Sequence, residues 1–372
     1  MSNPILHERE FMKTLLLNGL LPLEKQRTVQ SLYYILRGRK GNQTVQDVYL
    51  FRLHPYYRLF PKFSREYWEE IIASLKAQRL LQLEADDRAK TKPTFLLTAA
   101  GKQFLREGVE QYQLDNWLEP IRRVAANEQL QSQWLKLHLL VQTVSQLLHR
   151  DIAFYPVVQQ RSIQQWVKEQ LGVPSERERW MNELVGELEL LLQAFPERLQ
   201  QLVVRQFSGA GQTGSTLPQL ARQWQEPPSF LWVKLLHCLA VMAERIQAEQ
   251  GENFPLLHRL FTADQRTSRQ LSDSAAHTWR LLRQNLSIAE IARQRRLSPN
   301  TVEDHLVEIA LLYPDWDISP YISDREQREI QTLSSRLQTR RLRLLKNHLQ
   351  DKYSYLQIRL ALARQKGAVY DD

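Results

Sequence analysis

Residues 285–306 encode two short capped helices joined by a tight turn, and this layout constrains the fold more than any other stretch. The hydroxyl of Ser287 can accept a hydrogen bond from the backbone N–H of Glu290, whose carboxylate can reach back, which forms a capping box. Ser298 can cap a second helix that has Pro299 at its first position, where the missing N–H costs nothing. The pattern predicts a helix-turn-helix.

Apolar residues fall at helical spacing on both predicted helices. Ile291 lies on the apolar face of the first helix, and Val302 and Leu306 lie on that of the second. Two helices this short must pack on a third, which we expect upstream, around Trp279 and Leu282.

This segment resembles the helicase helix-turn-helix domain found at the C-termini of some RecQ-family DNA helicases and in the small bacterial YpbB family, which is associated with such a helicase. The residues that carry the resemblance are Ser287–Ala292, Arg295, Leu297–Ser298, Thr301–Val302 and His305–Leu306. The family usually has glycine where Arg296 stands, because the turn residue there is often left-handed. The resemblance implies a DNA-binding partner of a RecQ-family helicase.

The start of the second predicted helix offers the first candidate DNA contacts. Asn300 and Thr301 could bind the DNA backbone or a base if this helix entered a major groove. The nearby cations Arg293, Arg295 and Arg296 could assist them.

Acidic residues on the same helix weaken a direct-reading interpretation. Glu303, Asp304 and Glu308 are expected on its exposed face, where phosphates would repel their carboxylates. A base-reading helix normally carries Arg, Lys, Asn or Gln there. Docking on a protein partner and structural packing are the alternatives for this helix.

Positive charge is concentrated at the two ends of the chain, which carries a formal charge of +9. Residues 325–372 hold 11 Lys and Arg against 5 Asp and Glu. Within them, residues 336–346 predict a basic amphipathic helix that could contact phosphates. The candidate contacts are Arg340, Arg341, Arg343 and Lys346. Alternatively, its leucines cover the core while its cations face water.

The N-terminal region predicts a winged-helix order. Amphipathic helices are expected over 26–37, 44–53 and 64–79, followed by a hairpin with strands at 80–84 and 93–98. This order resembles the winged-helix (RQC) domain that follows the motor core of RecQ helicases. In that domain an aromatic residue at the wing tip can wedge base pairs apart. The tip here, residues 85–92, has no aromatic residue, so strand prying is not predicted.

The loop between the first two predicted helices is basic and contains two glycines, with the sequence Arg37-Gly-Arg-Lys-Gly41. Its glycines let the main chain approach a phosphate while Arg37, Arg39 and Lys40 supply charge. A solvated loop without a ligand is the alternative.

The middle of the chain shows helical patterns punctuated by prolines. Its glycine-containing loop, Phe207–Thr216, lacks the Gly-Lys-Ser/Thr ending of a phosphate-binding loop. Residues Thr216–Ala221 repeat the cap, proline and apolar pattern of a helix start. A plain turn is the favoured interpretation there, and a second helix-turn-helix-like element is the alternative.

Length and composition predict a mainly α, multi-helical chain, since 372 residues contain only 12 glycines. We predict a winged-helix-like domain at 1–110, a helical middle domain at 111–273, a helix-turn-helix domain at 274–324 and a basic C-terminal helix at 325–372. The single cysteine, Cys238, excludes an internal disulfide and predicts a buried apolar position.

Patterns for catalysis are missing. The histidines lack metal-ligand spacing, and neither a nucleophile elbow nor a nucleotide-binding loop for a helicase motor occurs. No signal peptide or membrane-length apolar run is recognised, which predicts a cytoplasmic protein, with association with the nucleoid as an option. We expect no enzyme activity, cofactor, metal, membrane contact or small-molecule substrate.

The sequence supports two functional interpretations. The first is a non-catalytic accessory protein of a RecQ-family DNA helicase that helps DNA binding or loading at forks and repair intermediates. The second is a helix-turn-helix transcriptional regulator of duplex DNA. The acidic residues of the second predicted helix count against the regulator, because it would need a basic, base-contacting helix.

Overall fold

The computed structural model describes residues 4–84, 93–124, 127–150, 153–262 and 271–365. These residues form helices and one two-stranded sheet, which confirms the predicted mainly α class. The helices are α1 Pro4–Leu20, α2 Gln30–Arg37, α3 Asn42–Leu50, α4 Arg65–Ala77, α5 Ala99–Tyr112, α6 Leu114–Val124, α7 Asn127–Leu148, α8 Arg161–Leu171, α9 Pro174–Leu192 and α10 Glu197–Val204. They continue with α11 Leu217–Trp224, α12 Pro228–Ala248, α13 Pro255–Thr262, α14 Asp273–Leu282, α15 Ile288–Arg295, α16 Pro299–Leu312, α17 Asp324–Arg336, α18 Leu342–His348 and α19 Tyr355–Ala363.

The described residues form two compact units, each assembled from separate segments of the chain. The first unit draws on segments 1–18, 69–80 and 99–268, and the second on segments 19–68, 81–98 and 269–372. The second unit therefore combines N-terminal helices with all the helices from α14 to α19. The predicted division into sequence-continuous domains stays a prediction.

Helix α12 lies at the centre of the first unit. Its Leu235, Cys238 and Leu239 have no exposed surface, and α6, α7, α10 and α11 pack against it. A helix that is apolar on all sides is expected to be buried in this way. Burial raises the pKa of the Cys238 thiol to about 12, so this residue acts as a small apolar side chain, as predicted.

The predicted N-terminal order of helices followed by a hairpin is confirmed. Strands β1, Leu81–Glu84, and β2, Thr94–Leu97, pair antiparallel. The backbone N–H of Lys25 donates to the carbonyl oxygen of Phe95 at 2.9 Å and ties the hairpin into the second unit. The predicted wing tip, residues 85–92, lies outside the described residues.

The predicted continuous basic helix over residues 336–346 is wrong, because the chain leaves the helical conformation between α17 and α18. The side chain of Gln26 occupies this break. Its Oε1 accepts a hydrogen bond from the N–H of Arg340 at 2.9 Å, and its Nε2 donates to the carbonyl oxygen of Gln338 at 3.0 Å. These backbone groups are thus bonded to an N-terminal side chain instead of to a helical ladder.

Candidate nucleic-acid interface

Both predicted caps of the helix-turn-helix are present. The N–H of Ser287 donates to Glu290 Oε2 at 2.8 Å, and the N–H of Glu290 donates to the Ser287 hydroxyl at 3.3 Å. The Ser298 hydroxyl accepts a hydrogen bond from the N–H of Thr301 at 3.1 Å, and Pro299 is the first residue of α16. These local bonds fix where α15 and α16 begin.

Arg296 ends α15 in the left-handed conformation, with φ of +53°. The N–H of the next residue, Leu297, donates to the carbonyl oxygen of Ala292 at 2.9 Å and closes the turn. The turn therefore forms without the glycine that the resembling family usually has. The left-handed conformation costs an L-residue about 1 kcal/mol relative to glycine.

Helix α14 supplies the predicted third helix. Val302 and Leu306 of α16 are fully buried and share a hydrophobic core with Ile291 of α15 and Leu281 of α14. Each short helix buries one apolar face in this core, which is what the amphipathic pattern predicted.

Arg295, a predicted DNA contact, is directed into the domain. It donates to the carbonyl oxygen of Ser274 at 2.7 Å, to the Ser274 hydroxyl at 2.8 Å, and to the hydroxyl of Thr278. Thr278 also hydrogen-bonds with Nδ1 of His305 at 2.8 Å. Burial, and after it the positive charge of Arg295, lowers the pKa of His305 below its ordinary value. This polar cluster joins α14, α15 and α16, so the Arg295 guanidinium is already engaged.

The central part of helix α16 is covered on all sides. Every residue from 305 to 310 is buried, and α3 and α19 pack against α16 in addition to α14 and α15. A helix that reads a major groove needs an open face. Accessible side chains lie mainly near its start, where Asn300 is exposed and Thr301, Glu303 and Asp304 are half-buried. The residues of α16 from 305 to 310 are therefore not available to contact a groove.

Glu308 does not lie on an exposed face, so that expectation is wrong. Its carboxylate is buried and accepts hydrogen bonds from the backbone N–H of Ser272 at 2.5 Å and from the Ser272 hydroxyl at 3.0 Å. Glu308 therefore holds Ser272, the residue that caps α14, and the two hydrogen bonds from Ser272 satisfy the buried carboxylate.

Asp304 is engaged in the same way. It forms an ion pair with Arg359 of α19 and accepts a hydrogen bond from Nδ2 of Asn42 in α3 at 2.9 Å. Glu303 is half-buried and has no bonding partner among the described residues. Only Glu303, of the three acidic residues, keeps an uncompensated carboxylate near the first turn of α16.

Exposed cations remain on α15 and in the loop before α3. Arg293 and Arg296 are exposed. Arg37, Arg39 and Lys40 are exposed as well, and the guanidinium of Arg39 lies 4.6 Å from the centre of a tyrosine ring.

The structure joins this basic loop to α16. Gly38 adopts φ of +69°, and a Cβ there would approach Arg58 Cβ to 2.7 Å, so the bend requires glycine. Helix α3 begins directly after the loop, and its Asn42 donates to Asp304 of α16. Asn42, which follows the basic loop two positions after Lys40, is thus in direct contact with α16.

The C-terminal cations have different surroundings from one another. Arg340 is buried, and its guanidinium donates to the carbonyl oxygen of Leu50. Arg341 is half-buried at the start of α18, whereas Arg343 is exposed. Lys346 lies 3.1 Å from a carboxylate oxygen of Asp351. Arg343 is therefore the cation of this group with the most open side chain.

An open groove of about 680 Å³ lies beside the first half of α16. It is lined mainly by amide and charged side chains, which include Asn42 and Gln46 of α3, Asn300 of α16 and Lys346 of α18. The predicted residues Asn300 and Lys346 meet here. The contributions of Asn42 and Gln46 were missed, since no local sequence signal marks residues that become neighbours only on folding.

The described residues offer neither a metal site nor a membrane span. Within them, His, Cys, Asp and Glu nowhere gather in a group of three or more that could hold a metal ion. Across the same ranges, every helix is too short or too polar to cross a membrane.

Comparison with known proteins adds to this geometry. Residues 274–362 match the family model of a helix-turn-helix domain, which spans α14 to α19. The chain is also similar to Protein YpbB of Bacillus subtilis (strain 168), with 26% identity over 361 residues, covering 95% of this chain and 97% of that protein. No solved structure matches the chain. The chain therefore carries a C-terminal helix-turn-helix domain, a fold class that suggests DNA binding, and is similar to a YpbB protein along nearly its full length.

Proposed function

We propose that this protein is a non-catalytic accessory protein of a RecQ-family DNA helicase, which it helps to bind DNA or to load at forks and repair intermediates. The observation that carries the DNA-binding part is the set of exposed cations on the segments that flank α16, namely Arg39, Lys40, Arg293 and Arg296. Such a surface attracts phosphates by counterion release and recognises DNA by charge and shape. We expect the protein to act in the cytoplasm, on the nucleoid.

The helicase partner is supported by resemblance. Residues 287–306 resemble the helix-turn-helix of RecQ-family helicases, and the chain is similar to a YpbB protein over 95% of its length. A chain without a nucleotide-binding loop has no motor of its own, which fits an accessory role.

The proposed phosphate contacts are those predicted residues whose side chains stay accessible. They are Arg37, Arg39, Lys40, Arg293, Arg296, Asn300, Thr301, Arg341 and Arg343. Arg295, Arg340 and Lys346 are left out of this set because their charged groups are bonded within the protein.

A transcriptional regulator is the competing function, and the burial of α16 argues against it. Operator recognition needs side chains that reach several base edges, and the residues of α16 from 305 to 310 are buried. A regulator would bind its own sequence about 10³-fold or more tighter than unrelated DNA. An accessory protein that recognises shape and charge would bind unrelated duplexes with similar affinity.

The partner is tested by size-exclusion chromatography of this protein mixed with the RecQ-type helicase from the same cell. We expect the two proteins to coelute as one complex. Separate peaks at micromolar concentration would overturn the helicase part of the proposal and leave DNA binding to its own test.

DNA binding is tested by fluorescence anisotropy with several unrelated duplexes and a forked DNA over a range of salt concentrations. The double variant Arg293→Glu with Arg296→Glu should weaken binding to all of them and reduce the salt slope by roughly 0.9 for each phosphate that the protein no longer neutralises. Arg328→Glu is the matched control, because Arg328 is an exposed arginine of α17 outside the proposed set. A strong preference of the wild type for one duplex would instead favour a regulator.

A further inference from the structure

The first unit contains a segment built like the helix-turn-helix of the second unit, 71 residues earlier in the chain. Helices α11 and α15 have the same length, and each is followed by a short turn and a longer helix with proline at its first position, α12 and α16. The matched family domain begins at residue 274, so it does not include the earlier segment.

The starts of α11 and α15 are capped identically. The N–H of Thr216 donates to Gln219 Oε1 at 2.7 Å, and the N–H of Gln219 donates to the Thr216 hydroxyl at 3.4 Å. Ser287 and Glu290 form the same capping box in α15. The helix start that the pattern of Thr216–Ala221 predicted is therefore present.

The turns that follow α11 and α15 also have the same backbone conformation. Gln225 ends α11 with φ of +54°, and Arg296 ends α15 with φ of +53°. The N–H of Glu226 donates to the carbonyl oxygen of Ala221 at 3.1 Å, which is the bond that the equivalent residues make after α15. Both turns thus have a left-handed residue and the same closing hydrogen bond at one register.

The buried positions coincide as well. At the register set by the two caps, each of four buried residues of α11 and α12 has a buried counterpart in α15 and α16. The pairs are Leu220 with Ile291, Ala221 with Ala292, Leu231 with Val302 and Leu235 with Leu306.

In both segments a preceding helix, α10 or α14, contacts the last residue of the first helix, α11 or α15. Arg295, near the end of α15, hydrogen-bonds to Ser274 of α14. At the equivalent position of α11, the ring of Trp224 lies 4.1 Å from the guanidinium of Arg198 in α10. The first contact is a hydrogen bond and the second is a cation–π contact, but both are made from the last residue of the first helix. Helices α10, α11 and α12 therefore form a second three-helix arrangement.

The start of α12 is closed to DNA bases. The N–H of Ser229 donates to a carboxylate oxygen of Glu8 in α1 at 3.2 Å, and the Ser229 hydroxyl also bonds to Glu8. Phe230 and Leu231 are buried. The second element therefore has no accessible reading helix.

Its first helix, in contrast, carries exposed polar residues. Arg222 and Gln223 of α11 are exposed, as are the equivalent Arg293 and Gln294 of α15. Arg205, directly after α10, is exposed and donates to Gln223 Oε1 at 2.9 Å, which places a second cation beside Arg222. In helix-turn-helix proteins the first helix crosses the DNA backbone, where such residues meet phosphates.

We propose that residues 197–248 form a second helix-turn-helix that binds DNA phosphates through Arg205 and Arg222 without reading bases. This inference rests on the proposed DNA-binding function. It gives the chain two phosphate-binding elements, one in each unit.

The test uses the full chain and anisotropy titrations on a 40-bp duplex over a range of salt concentrations. Arg205→Glu with Arg222→Glu should weaken binding at least several-fold and reduce the salt slope by about 2, since each neutralised phosphate contributes roughly 0.9. Arg161→Glu is the control, an exposed arginine at the start of α8 in the same unit. Thermal melts check that the variants fold, and Arg205→Gln with Arg222→Gln repeats the test without adding negative charge.

The outcomes separate this inference from the function on which it rests. Weaker binding of both double variants, with the control unchanged, supports the second element. If those variants bind like the control while Arg293→Glu with Arg296→Glu still weakens binding, the second element is refuted and the proposed function stands. If the wild type binds no duplex or fork at all, both are overturned.

Discussion

Removing the carboxylate of Asp304 should loosen the packing of α16 against both α3 and α19. Asp304 forms an ion pair with Arg359 and accepts a hydrogen bond from Asn42 Nδ2 at 2.9 Å. The side chain of Arg359 is 13% exposed and that of Asp304 is 33% exposed. The pair therefore lies between a surface pair and a buried pair in its access to water.

The expected magnitude follows from that intermediate position. Exposed ion pairs contribute about 0.2–1 kcal/mol. Removing one partner of a buried pair costs about 3–5 kcal/mol, because the other charge is left uncompensated. We expect Asp304→Ala to lower the free energy of unfolding by about 2 kcal/mol, and the coupling energy between Asp304 and Arg359 in a double-mutant cycle to be about 1 kcal/mol.

Hydrogen exchange of the α16 backbone measures this change locally, which matters because a chain with two units need not unfold in one step. Glu303→Ala is the matched control, since this neighbouring carboxylate has no bonding partner among the described residues, and its effect should stay within about 0.5 kcal/mol. Equal effects of Asp304→Ala and Glu303→Ala, or a coupling energy near zero, would refute the reasoning.

Three further changes test other parts of the site. The buried neutral His305 has a lowered pKa, so its contribution to stability is full above the ordinary value of 6.5 and is lost as the pH falls through the folded-state pKa. Thermal melts of His305→Asn should therefore show less destabilisation by acid than melts of the wild type. An identical pH profile of the two proteins would contradict this. Arg340→Ala should lower the free energy of unfolding by about 2 kcal/mol, because it removes a buried guanidinium that bonds to Leu50. Arg343 is exposed, so Arg343→Ala should leave stability unchanged and weaken DNA binding. Thermal melts and anisotropy titrations that give the reverse pattern would contradict this. Arg296→Gly should raise the unfolding midpoint in urea through relief of about 1 kcal/mol of left-handed strain while weakening DNA binding, and a lower midpoint would show that the arginine itself stabilises the turn.

Local features of the site could be predicted from the sequence. The caps at Ser287 and Ser298, the start of α16 at Pro299 and the order of helices and hairpin were all predicted and are present. Each depends on atoms that are only a few residues apart, so neighbouring side chains and backbone groups are sufficient to specify it.

The roles of individual charges could not be predicted in the same way. Arg340 was a predicted phosphate contact, yet it is buried against Leu50, which lies 290 residues away in the chain. Glu308 was expected to be exposed, yet it binds Ser272, 36 residues away. An arginine or glutamate suits a solvated face and a buried pair equally well, and only its neighbours in the folded chain distinguish the two.

The sequence by itself therefore determined that the chain is helical, where its capped helices begin, and that a helix-turn-helix stands near its C-terminus, because these properties depend on short-range bonds and periodicity. The tertiary structure decided which charged and polar side chains remain accessible. It brings α3 and α19 onto α16, engages Asp304 and Arg340, and leaves Asn300 accessible in the first turn of α16. The physical reason is that burial and charge pairing are set by segments that meet only after folding, so no local pattern records them.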